Sequence, residues 1–367
     1  MRVKVTDFPK EYNVLKEELD RAYRRVMESG WYILGEEVKE FEKEFSKFVG
    51  SKYCVGVGNG LDALHLGLVA LGVKEGDEVI VPSNTYVATW IAVSMTGAKP
   101  VPVEPNEGTF NINPELIEKA ITKRTKAIIP VHLYGQSAEM DPIMEIAKEN
   151  NLFVLDDAAQ AHGAKYKGRV IGSVADITAF SFFPTKNLGA FGDGGCITTN
   201  IEEIAERVTE MRNYGESKKY YNKYIGFNSR LDELQAAFLR VKLKHVDEMN
   251  IKKRYIAKRY ISEISNKIII LPEVLPYCEP VWHQFVVRTN KRDNLKRFLN
   301  ENGIDTLIHY PVPPHLQEAY RYLLIGEGKM PIAEGLAKSV LSLPISWVLD
   351  DEMVSYVIES IDKWQIT

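Results

Sequence analysis

Short apolar runs alternate with segments of helical periodicity through the first half of the chain, and this alternation limits the possible folds more than any other feature of the sequence. The apolar runs are predicted strands at 78–82 (EVIVP), 99–104 (KPVPVE), 126–135 (KAIIPVHLYG), 152–158 (LFVLDDA) and 176–183 (DITAFSFF). The segments between them are predicted helices at 90–98, 114–121 and 140–151. Strands and helices in alternation are typical of a parallel sheet that is covered by helices.

The predicted strands are apolar at most positions, as expected of strands that are buried on both faces. Two amphipathic helices, at 11–29 and 36–48, and an apolar helix after Gly60 precede them. We therefore expect an α/β fold whose larger domain has three layers, with helices on both sides of a mostly parallel sheet.

The pattern changes near residue 240, where the regular alternation ends. A basic segment with helical periodicity follows, then a predicted strand at 282–289 (WHQFVVRT) and a proline-rich stretch, HYPVPPHLQ. We interpret 1–240 as a large domain and 241–367 as a smaller α+β domain.

Composition and charge argue against several classes of protein. The 367 residues carry a net charge of −4, so the chain lacks the basic character of a protein that binds nucleic acid. The three cysteines are far apart and form no CxxC pair, which favours a reducing compartment over a disulfide framework or a metal site. Because no stretch reaches about 18 uncharged apolar residues, we expect a cytoplasmic enzyme without a membrane partner.

Lys186 lies just beyond the predicted strand at 176–183, at the start of a loop that is rich in glycine. The glycines, which let a backbone pass close to a bound group, are Gly189, Gly192, Gly194 and Gly195. Burial lowers the pKa of a lysine, and the neutral amine can then attack a carbonyl to form a Schiff base. An ordinary lysine of a surface loop is the competing interpretation.

Asp157 ends another predicted strand. Ligands of open α/β sheets gather at the carboxyl ends of the strands, so Asp157 and Lys186 are expected at one edge. A carboxylate there can keep a pyridine nitrogen protonated, and Gln160 and His162 follow at spacings that direct them to the same place. A helix N-cap for Asp157 and a hydrogen-bonded core residue for His162 are the competing interpretations.

A third polar feature is GVGNGLDAL (56–64), in which glycines precede a predicted helix. The free N–H groups of a helix N-terminus suit a phosphate, although such glycines also make plain turns and the segment lacks the GxGxxG pattern. Tyr86, in PSNTYVAT, is a candidate for stacking on a flat ring or for filling the core. A phosphate site, a carboxylate and a lysine are together the three contacts that pyridoxal phosphate (PLP) requires.

The motifs DDAAQAHGA (156–164), SFFPTKNLGAFGDGG (181–195) and GFNSRLDELQAA (226–237) resemble those of the DegT/DnrJ/EryC1/StrS sugar aminotransferases. The resemblance extends over nearly the whole chain, from WYILGEEVKEFE near the start to HYPVPPHLQEAY and LSLP. It implies the fold of aspartate aminotransferase (fold type I), PLP as the cofactor, and a homodimer with shared active sites.

The resemblance also implies a role for individual residues of this chain. Lys186 would be the catalytic residue and would bind PLP covalently, Asp157 would pair with the ring nitrogen, and Gln160 would contact the ring hydroxyl. The phosphate would be held by Ser181, by Gly60, Leu61 and Asp62, and by Asn228 of the partner subunit. Leu61 stands where many relatives have serine or threonine, so one hydroxyl is missing and backbone N–H donors remain.

The candidate substrate residues are Tyr32, His309, Tyr310 and His315. The last three belong to the proline-rich stretch, for which a rigid structural loop is the competing interpretation.

The resemblance implies transfer of an amino group, from L-glutamate, to a keto-sugar nucleotide. GNGLDALHL and IHYPVPPHLQ are more similar to enzymes that act at C3 of a dTDP-3-oxo-6-deoxyhexose than to enzymes that act at C4 of a 4-oxo sugar linked to dTDP or UDP. Lys186 argues against a PLP-dependent sugar dehydratase, because the related dehydratases carry histidine at that position. A non-catalytic regulatory or nucleotide-binding relative is the third alternative.

Overall fold

The computed structural model describes residues 1–365. Over this part the α-helices are α1 (Phe8–Ser29), α2 (Glu36–Val49), α3 (Gly60–Ala70), α4 (Val87–Met95), α5 (Met140–Glu149), α6 (Glu202–Met211), α7 (Glu233–Leu243), α8 (Val246–Glu263), α9 (Arg292–Glu301), α10 (Pro331–Ser339) and α11 (Asp351–Lys363). The strands are β1 (Tyr53–Val57), β2 (Glu78–Pro82), β3 (Lys99–Val103), β4 (Thr125–Ile128), β5 (Phe153–Asp157), β6 (Lys165–Tyr166), β7 (Arg169–Val170), β8 (Ile177–Ser181), β9 (Gly195–Thr199), β10 (Glu216–Lys218), β11 (Tyr221–Asn222), β12 (Cys278–Glu279), β13 (Phe285–Arg288) and β14 (Val340–Leu343).

The largest sheet has seven strands in the order β1-β9-β8-β5-β4-β2-β3. Four of its pairs are parallel, whereas β9 runs antiparallel to both β8 and β1. The expectation of a mostly parallel sheet is confirmed. Because β1, β5 and β8 point in one direction, their last residues, Val57, Asp157 and Ser181, lie at the same edge of the sheet.

Helices cover both faces of this sheet, so the three-layer α/β/α arrangement is confirmed as well. Neighbouring residues of a strand point into different cores: Val79 packs in a core with α3, α4 and α6, and Ile80 packs in a core with α2, α5 and α7. The buried residues of α2 recur at three- and four-residue intervals, which places Val38, Phe41 and Phe45 on the face that contacts the sheet.

Two predicted elements differ from the structure. The strand predicted at 126–135 ends at Ile128, because Pro130 has no N–H to donate in a central strand. The helix predicted at 114–121 forms only two short turns of 3-10 helix, Pro114–Leu116 and Glu118–Ala120. So short a segment gains few of the hydrogen bonds that sustain an α-helix.

The C-terminal part has an α+β character and a hydrophobic core of its own. β13 pairs antiparallel with β14, and α8, α9 and α11 contribute to the core beside them. Val3 joins this core and pairs with Ile304, so the start of the chain packs with its end. The domain boundary near residue 240 stays a prediction; it falls inside α7, which ends at Leu243.

No helix within residues 1–365 is long and apolar enough to cross a bilayer. Within the same residues, no group of three or more His, Cys, Asp or Glu side chains is arranged to hold a metal ion. Cys54, Cys196 and Cys278 are buried free thiols.

Candidate active site

Asp157 ends β5 at the carboxyl edge of the large sheet and is only 6% exposed. Its Oδ2 accepts a hydrogen bond of 2.8 Å from the Thr89 hydroxyl, and its Oδ1 accepts one of 3.1 Å from the Ala159 N–H. Burial raises the pKa of Asp157, while these two hydrogen bonds and the charge of Lys186 oppose the rise. The Thr89 hydroxyl and the Ala159 N–H therefore stabilise the ionised form of Asp157, which burial disfavours.

Lys186 lies in the tight loop that follows β8. A Cβ at position 189 would collide with the carbonyl oxygen of Pro184, so the loop closes in this way only with Gly189. Burial lowers the pKa of Lys186 to about 8, and the charge of Asp157 opposes the change. The amine and the carboxylate are close enough for each to shift the pKa of the other, as the sequence predicted for one edge of the sheet.

Hydrogen bonds from distant parts of the chain fix the loop that carries Lys186. The side chain of Asn187 donates to Asn250 Oδ1 at 2.8 Å and to the Val281 carbonyl at 2.7 Å. Its Oδ1 accepts a hydrogen bond of 3.1 Å from Lys253 Nζ. These contacts tie the loop to α8 and to the segment before β13.

The N-terminus of α3 lies directly against the end of β8. A Cβ at Gly60 would lie 2.5 Å from the Cβ of Ser181, so only glycine permits this approach. The Asn59 side chain caps the helix by accepting the N–H of Asp62 at 2.8 Å. Within residues 1–365, the N–H groups of Gly60 and Leu61 in the first turn have no backbone acceptor, which suits them to an anion. Four predicted phosphate residues are thus adjacent, although the Asp62 N–H is already engaged.

Gln160 joins the sheet edge to the proline-rich loop. Its Oε1 accepts the Tyr134 N–H at 2.6 Å, and its Nε2 donates to the Tyr310 hydroxyl at 3.1 Å. The centroids of the Tyr310 and Tyr86 rings are 5.2 Å apart, and Tyr86 is 54% exposed. Burial raises the pKa of Tyr310, so its phenol stays protonated and can donate a hydrogen bond.

Three histidines lie near Lys186 as neutral rings. Burial, followed by the charge of Lys186, lowers the pKa of His162 to about 3, that of His309 to about 4, and that of His283 well below its usual value. His309 Nδ1 is 2.8 Å from the Ser342 hydroxyl. Within residues 1–365, Nδ1 of His283 has no hydrogen-bond partner. His162 is fully buried and packs against the rings of Phe180 and Phe182.

A cavity of about 100 Å³ opens beside Lys186, between α1, α8 and the segment that follows β14. Its polar lining includes His283, His309, Lys253 and Glu11.

The remaining predicted residues make other contacts. Tyr32 is half exposed, and its carbonyl accepts the Glu233 N–H at 3.2 Å. His315 is buried, with its Nε2 3.1 Å from Glu334 Oε1, and Asn228 is exposed. In residues 1–365, the hydrogen bonds of these three residues do not lead to the amine or the carboxylate of the site. Their roles stay predictions.

Sequence reasoning missed four residues that hold or surround the reactive groups: Thr89, Asn187, Lys253 and His283. The partner of Thr89 is 68 residues away, and Asn187 bonds to residues that are 63 and 66 positions away, so no local spacing relates them. His283 did carry a signal, because a histidine inside the apolar run VWHQFVV is an unusual buried residue.

The sequence profile of the DegT/DnrJ/EryC1/StrS aminotransferase family matches residues 13–362. This match, on a mostly parallel α/β sheet with an amine and a carboxylate at its carboxyl edge, defines the class of the protein as an aminotransferase. The chain belongs to the DegT/DnrJ/EryC1/StrS aminotransferase family.

Two relatives match the chain over nearly their whole length. One, from Aneurinibacillus thermoaerophilus, is 53% identical over 349 residues, which cover 95% of this chain and 96% of the relative. It is named dTDP-3-amino-3,6-dideoxy-alpha-D-galactopyranose transaminase. The other, from Streptomyces venezuelae, is 50% identical over 364 residues, which cover 99% and 96% of the two chains. It is named dTDP-3-amino-3,4,6-trideoxy-alpha-D-glucose transaminase.

Two crystal structures of similar proteins superpose closely. That of S. venezuelae DesV, in complex with a ketimine intermediate, has a TM-score of 0.97 and 50% identity, and the match covers 99% of this chain and 98% of that one. That of ntda from Bacillus subtilis, with bound cofactor PMP, has a TM-score of 0.89 and 33% identity, with coverage of 97% and 82%. The expected aminotransferase fold is confirmed.

Proposed function

We propose that the chain is a PLP-dependent sugar-nucleotide aminotransferase that moves an amino group from L-glutamate to C3 of a dTDP-3-oxo-6-deoxyhexose. The observation that carries this proposal is the Lys186 amine, with a pKa of about 8, within electrostatic reach of the buried Asp157 carboxylate. The names of the two relatives, both transaminases of dTDP-linked 3-amino sugars, support the nucleotide and the position.

The residues present fit PLP, which carries a phosphate, a ring nitrogen and an aldehyde. The close approach of Gly60 to Ser181 leaves helix N–H groups for the phosphate, and the Asp157 carboxylate can face a protonated ring nitrogen. Lys186 supplies the amine for the aldehyde, and Tyr86 supplies an exposed aromatic face. When bound, PLP supplies an electron-withdrawing ring that stabilises negative charge on the carbon that loses a proton.

Lys186 has two tasks in this proposal. As a neutral amine it would hold the cofactor covalently, and as a free amine its Nζ would accept the proton that the donor carbon loses and become an ammonium group. A pKa of about 8 suits both tasks, because the neutral and the protonated amine are then both populated near neutral pH.

The substrate would bind beside Lys186, where its sugar would be near His283 and His309. Their rings are neutral, so they can accept or donate a hydrogen bond to a sugar hydroxyl without repelling the protonated amine. Tyr310, tied to Gln160, would set the position of the proline-rich loop against the cofactor.

We further propose that the active enzyme is a homodimer with shared sites. Tyr86 and Phe183, which lie next to site residues, are 54% and 50% exposed, and Trp31 is 63% exposed. Large aromatic side chains exposed at a binding site are typical of a surface that a second subunit covers. The exposed Asn228 would then reach the phosphate in the site of the other subunit.

The test uses purified protein with L-glutamate and, in separate reactions, dTDP-3-oxo- and dTDP-4-oxo-6-deoxyhexoses. We expect a 2-oxo acid and an amino sugar from the 3-oxo substrate, with the amine placed at C3 by NMR. An amine at C4 would support the alternative acceptor.

Lys186→Ala is expected to abolish transfer without changing the thermal unfolding curve. Lys252→Ala, at a partly exposed lysine on α8, is the control and should keep full activity. A Lys186→Ala protein that still transfers the amine would contradict the proposal.

A further inference from the structure

The Asp157 carboxylate is held by a chain of two threonines. Thr89, the third residue of α4, is fully buried, and its hydroxyl is 2.8 Å from Asp157 Oδ2. Thr85, only 2% exposed, precedes the helix, and its hydroxyl is 3.0 Å from that of Thr89. The sequence Thr85-Tyr86-Val87-Ala88-Thr89 thus supports the carboxylate and also carries the candidate stacking residue.

The direction of this chain depends on the charge of Asp157. An ionised carboxylate only accepts hydrogen bonds, so Thr89 must donate its single hydroxyl proton to Asp157. The contact between the two threonines then requires Thr85 to donate to Thr89. If Asp157 were protonated on Oδ2, both hydrogen bonds would run the other way. When Asp157 is ionised, the two threonines therefore form a chain of hydrogen bonds in which Thr85 donates to Thr89 and Thr89 donates to Asp157.

We propose that Thr89 is a positioning residue that keeps Asp157 ionised and oriented for the ring nitrogen of PLP. The inference rests on the proposed function. It assigns to α4 a task beyond packing, since the Thr89 hydroxyl donates to the Asp157 carboxylate.

Other charged groups near Asp157 do not replace Thr89. Lys186 and His132 favour the charged carboxylate, but Lys186 is needed for the covalent bond to the cofactor and His132 is buried against Asp156, 3.3 Å away. Tyr310, the other titratable neighbour, stays a neutral phenol. Without the Thr89 proton, one lone pair of Oδ2 is buried without a donor, which favours protonation of Asp157. A protonated carboxyl no longer holds a positively charged ring nitrogen.

The test measures the affinity of the apoprotein for PLP and for an analogue in which carbon replaces the ring nitrogen. Thr89→Val keeps the branched shape and removes the hydroxyl. We expect it to weaken PLP binding about ten- to a hundredfold, the range for a lost hydrogen bond to a charged group. Binding of the analogue should stay nearly unchanged, because the analogue makes no use of Asp157. Thr89→Ser should restore PLP affinity.

Thr198→Val is the matched control. Thr198 is also fully buried, and its hydroxyl donates at 2.8 Å to the carbonyl of Gly172 instead of to a carboxylate. It should not change the ratio of the two affinities. Thermal unfolding of each variant reports on folding. Should Thr89→Val fail to fold, Thr85→Val removes the donor behind Thr89 and is expected to shift the ratio in the same direction by a smaller factor.

The outcomes separate this inference from the function on which it rests. Equal weakening of both compounds, or unchanged PLP affinity in Thr89→Val and Thr85→Val, would overturn the positioning role alone. Wild-type protein that binds neither compound would overturn the proposed function, and this inference with it.

Discussion

The carboxylate and the amine of the site are held by different parts of the molecule. Asp157 ends a central strand, and its donors, Thr89 and Ala159, both lie before residue 240 in the parallel α/β layers. Lys186 sits in a loop whose neighbour Asn187 is bonded to Asn250, Lys253 and Val281, all after residue 240.

This difference shows how the two reactive groups can be adjusted separately. Burial moves both toward their neutral forms, because it raises the pKa of Asp157 and lowers that of Lys186 to about 8. The sheet supplies hydrogen bonds that restore the charge of the carboxylate. The C-terminal part supplies position: it fixes the loop, and thereby the distance from the amine to the sheet edge.

The largest effect on the transfer rate is expected when the charge of Asp157, which the large sheet holds in place, is removed. Asp157→Asn should lower the transfer rate by at least about a hundredfold, because a buried charge partner is lost. The free energy of unfolding should change little, since a neutral amide costs less to bury than a carboxylate. Steady-state kinetics and urea unfolding measure the two quantities.

Asp176→Asn is the control for that substitution. Asp176 is also a carboxyl whose pKa is raised by burial, and it accepts the Val154 N–H at 2.8 Å near the opposite edge of the sheet. Its substitution should leave the rate within about threefold of wild type. Equal losses in both variants would mean that Asp157 has no special part in the reaction.

A smaller effect on the transfer rate is expected when the loop that carries Lys186 loses its hydrogen bonds to the C-terminal part. Asn187→Ala removes three hydrogen bonds, and Lys253 Nζ keeps only its contact of 3.4 Å with the Trp282 carbonyl, so the free energy of unfolding should fall by about 2–4 kcal/mol. The transfer rate should fall about tenfold, because the amine is no longer fixed. Asn150→Ala, at an exposed asparagine with one bond to Ile146, should change neither quantity appreciably. A stable, fully active Asn187→Ala protein would remove the distinction between the two halves of the site.

The smallest effect is a pH dependence of the free energy of unfolding that arises from Lys253, in the C-terminal part. Burial lowers the pKa of Lys253 to about 8, and Glu11 opposes the shift. In the unfolded chain the same amine keeps its proton up to about pH 10.4, so the unfolded state binds more protons in between. The free energy of unfolding should therefore rise from pH 8 to pH 10, by about 2 kcal/mol or less from this residue.

Lys253→Met should reduce that rise in urea unfolding series at pH 8, 9 and 10. Part of it should remain, because Lys186 and Lys242 also have pKa values of about 8. Lys252→Met, at the neighbouring and more exposed residue, should leave the rise unchanged. If Lys253→Met behaves like the control, Lys253 is not a buried amine.

The sequence was sufficient for the large sheet because its strands are local apolar patterns. EVIVP corresponds residue for residue to β2. The strand predicted for KAIIPVHLYG extends beyond the end of β4 at Ile128, since Pro130 interrupts the backbone hydrogen bonds of the sheet. The tendency of ligand-binding residues to follow the carboxyl ends of strands also predicts Asp157 and Lys186 at one edge.

The hydrogen bonds that hold Asp157 and the loop of Lys186 in place could not be predicted, because they join residues that are far apart in the sequence. Thr89 reads as one more helix residue in PSNTYVAT, and its hydroxyl matters only once α4 lies beside the end of β5. Asn187 and Lys253 belong to segments that no periodicity relates. The domain boundary near residue 240 and the shared homodimer site also stay predictions.

Borohydride reduction of the PLP-loaded protein, followed by peptide mass spectrometry, tests the central claim most directly, because reduction makes the bond between amine and cofactor permanent. Lys186, Lys242 and Lys253 all have a pKa lowered to about 8 by burial, so low pKa alone does not choose among them. The account predicts a single cofactor label, on Lys186, because among these three amines Lys186 is the one whose pKa the Asp157 carboxylate influences. A label on Lys242 or Lys253, or no label at all, would contradict it.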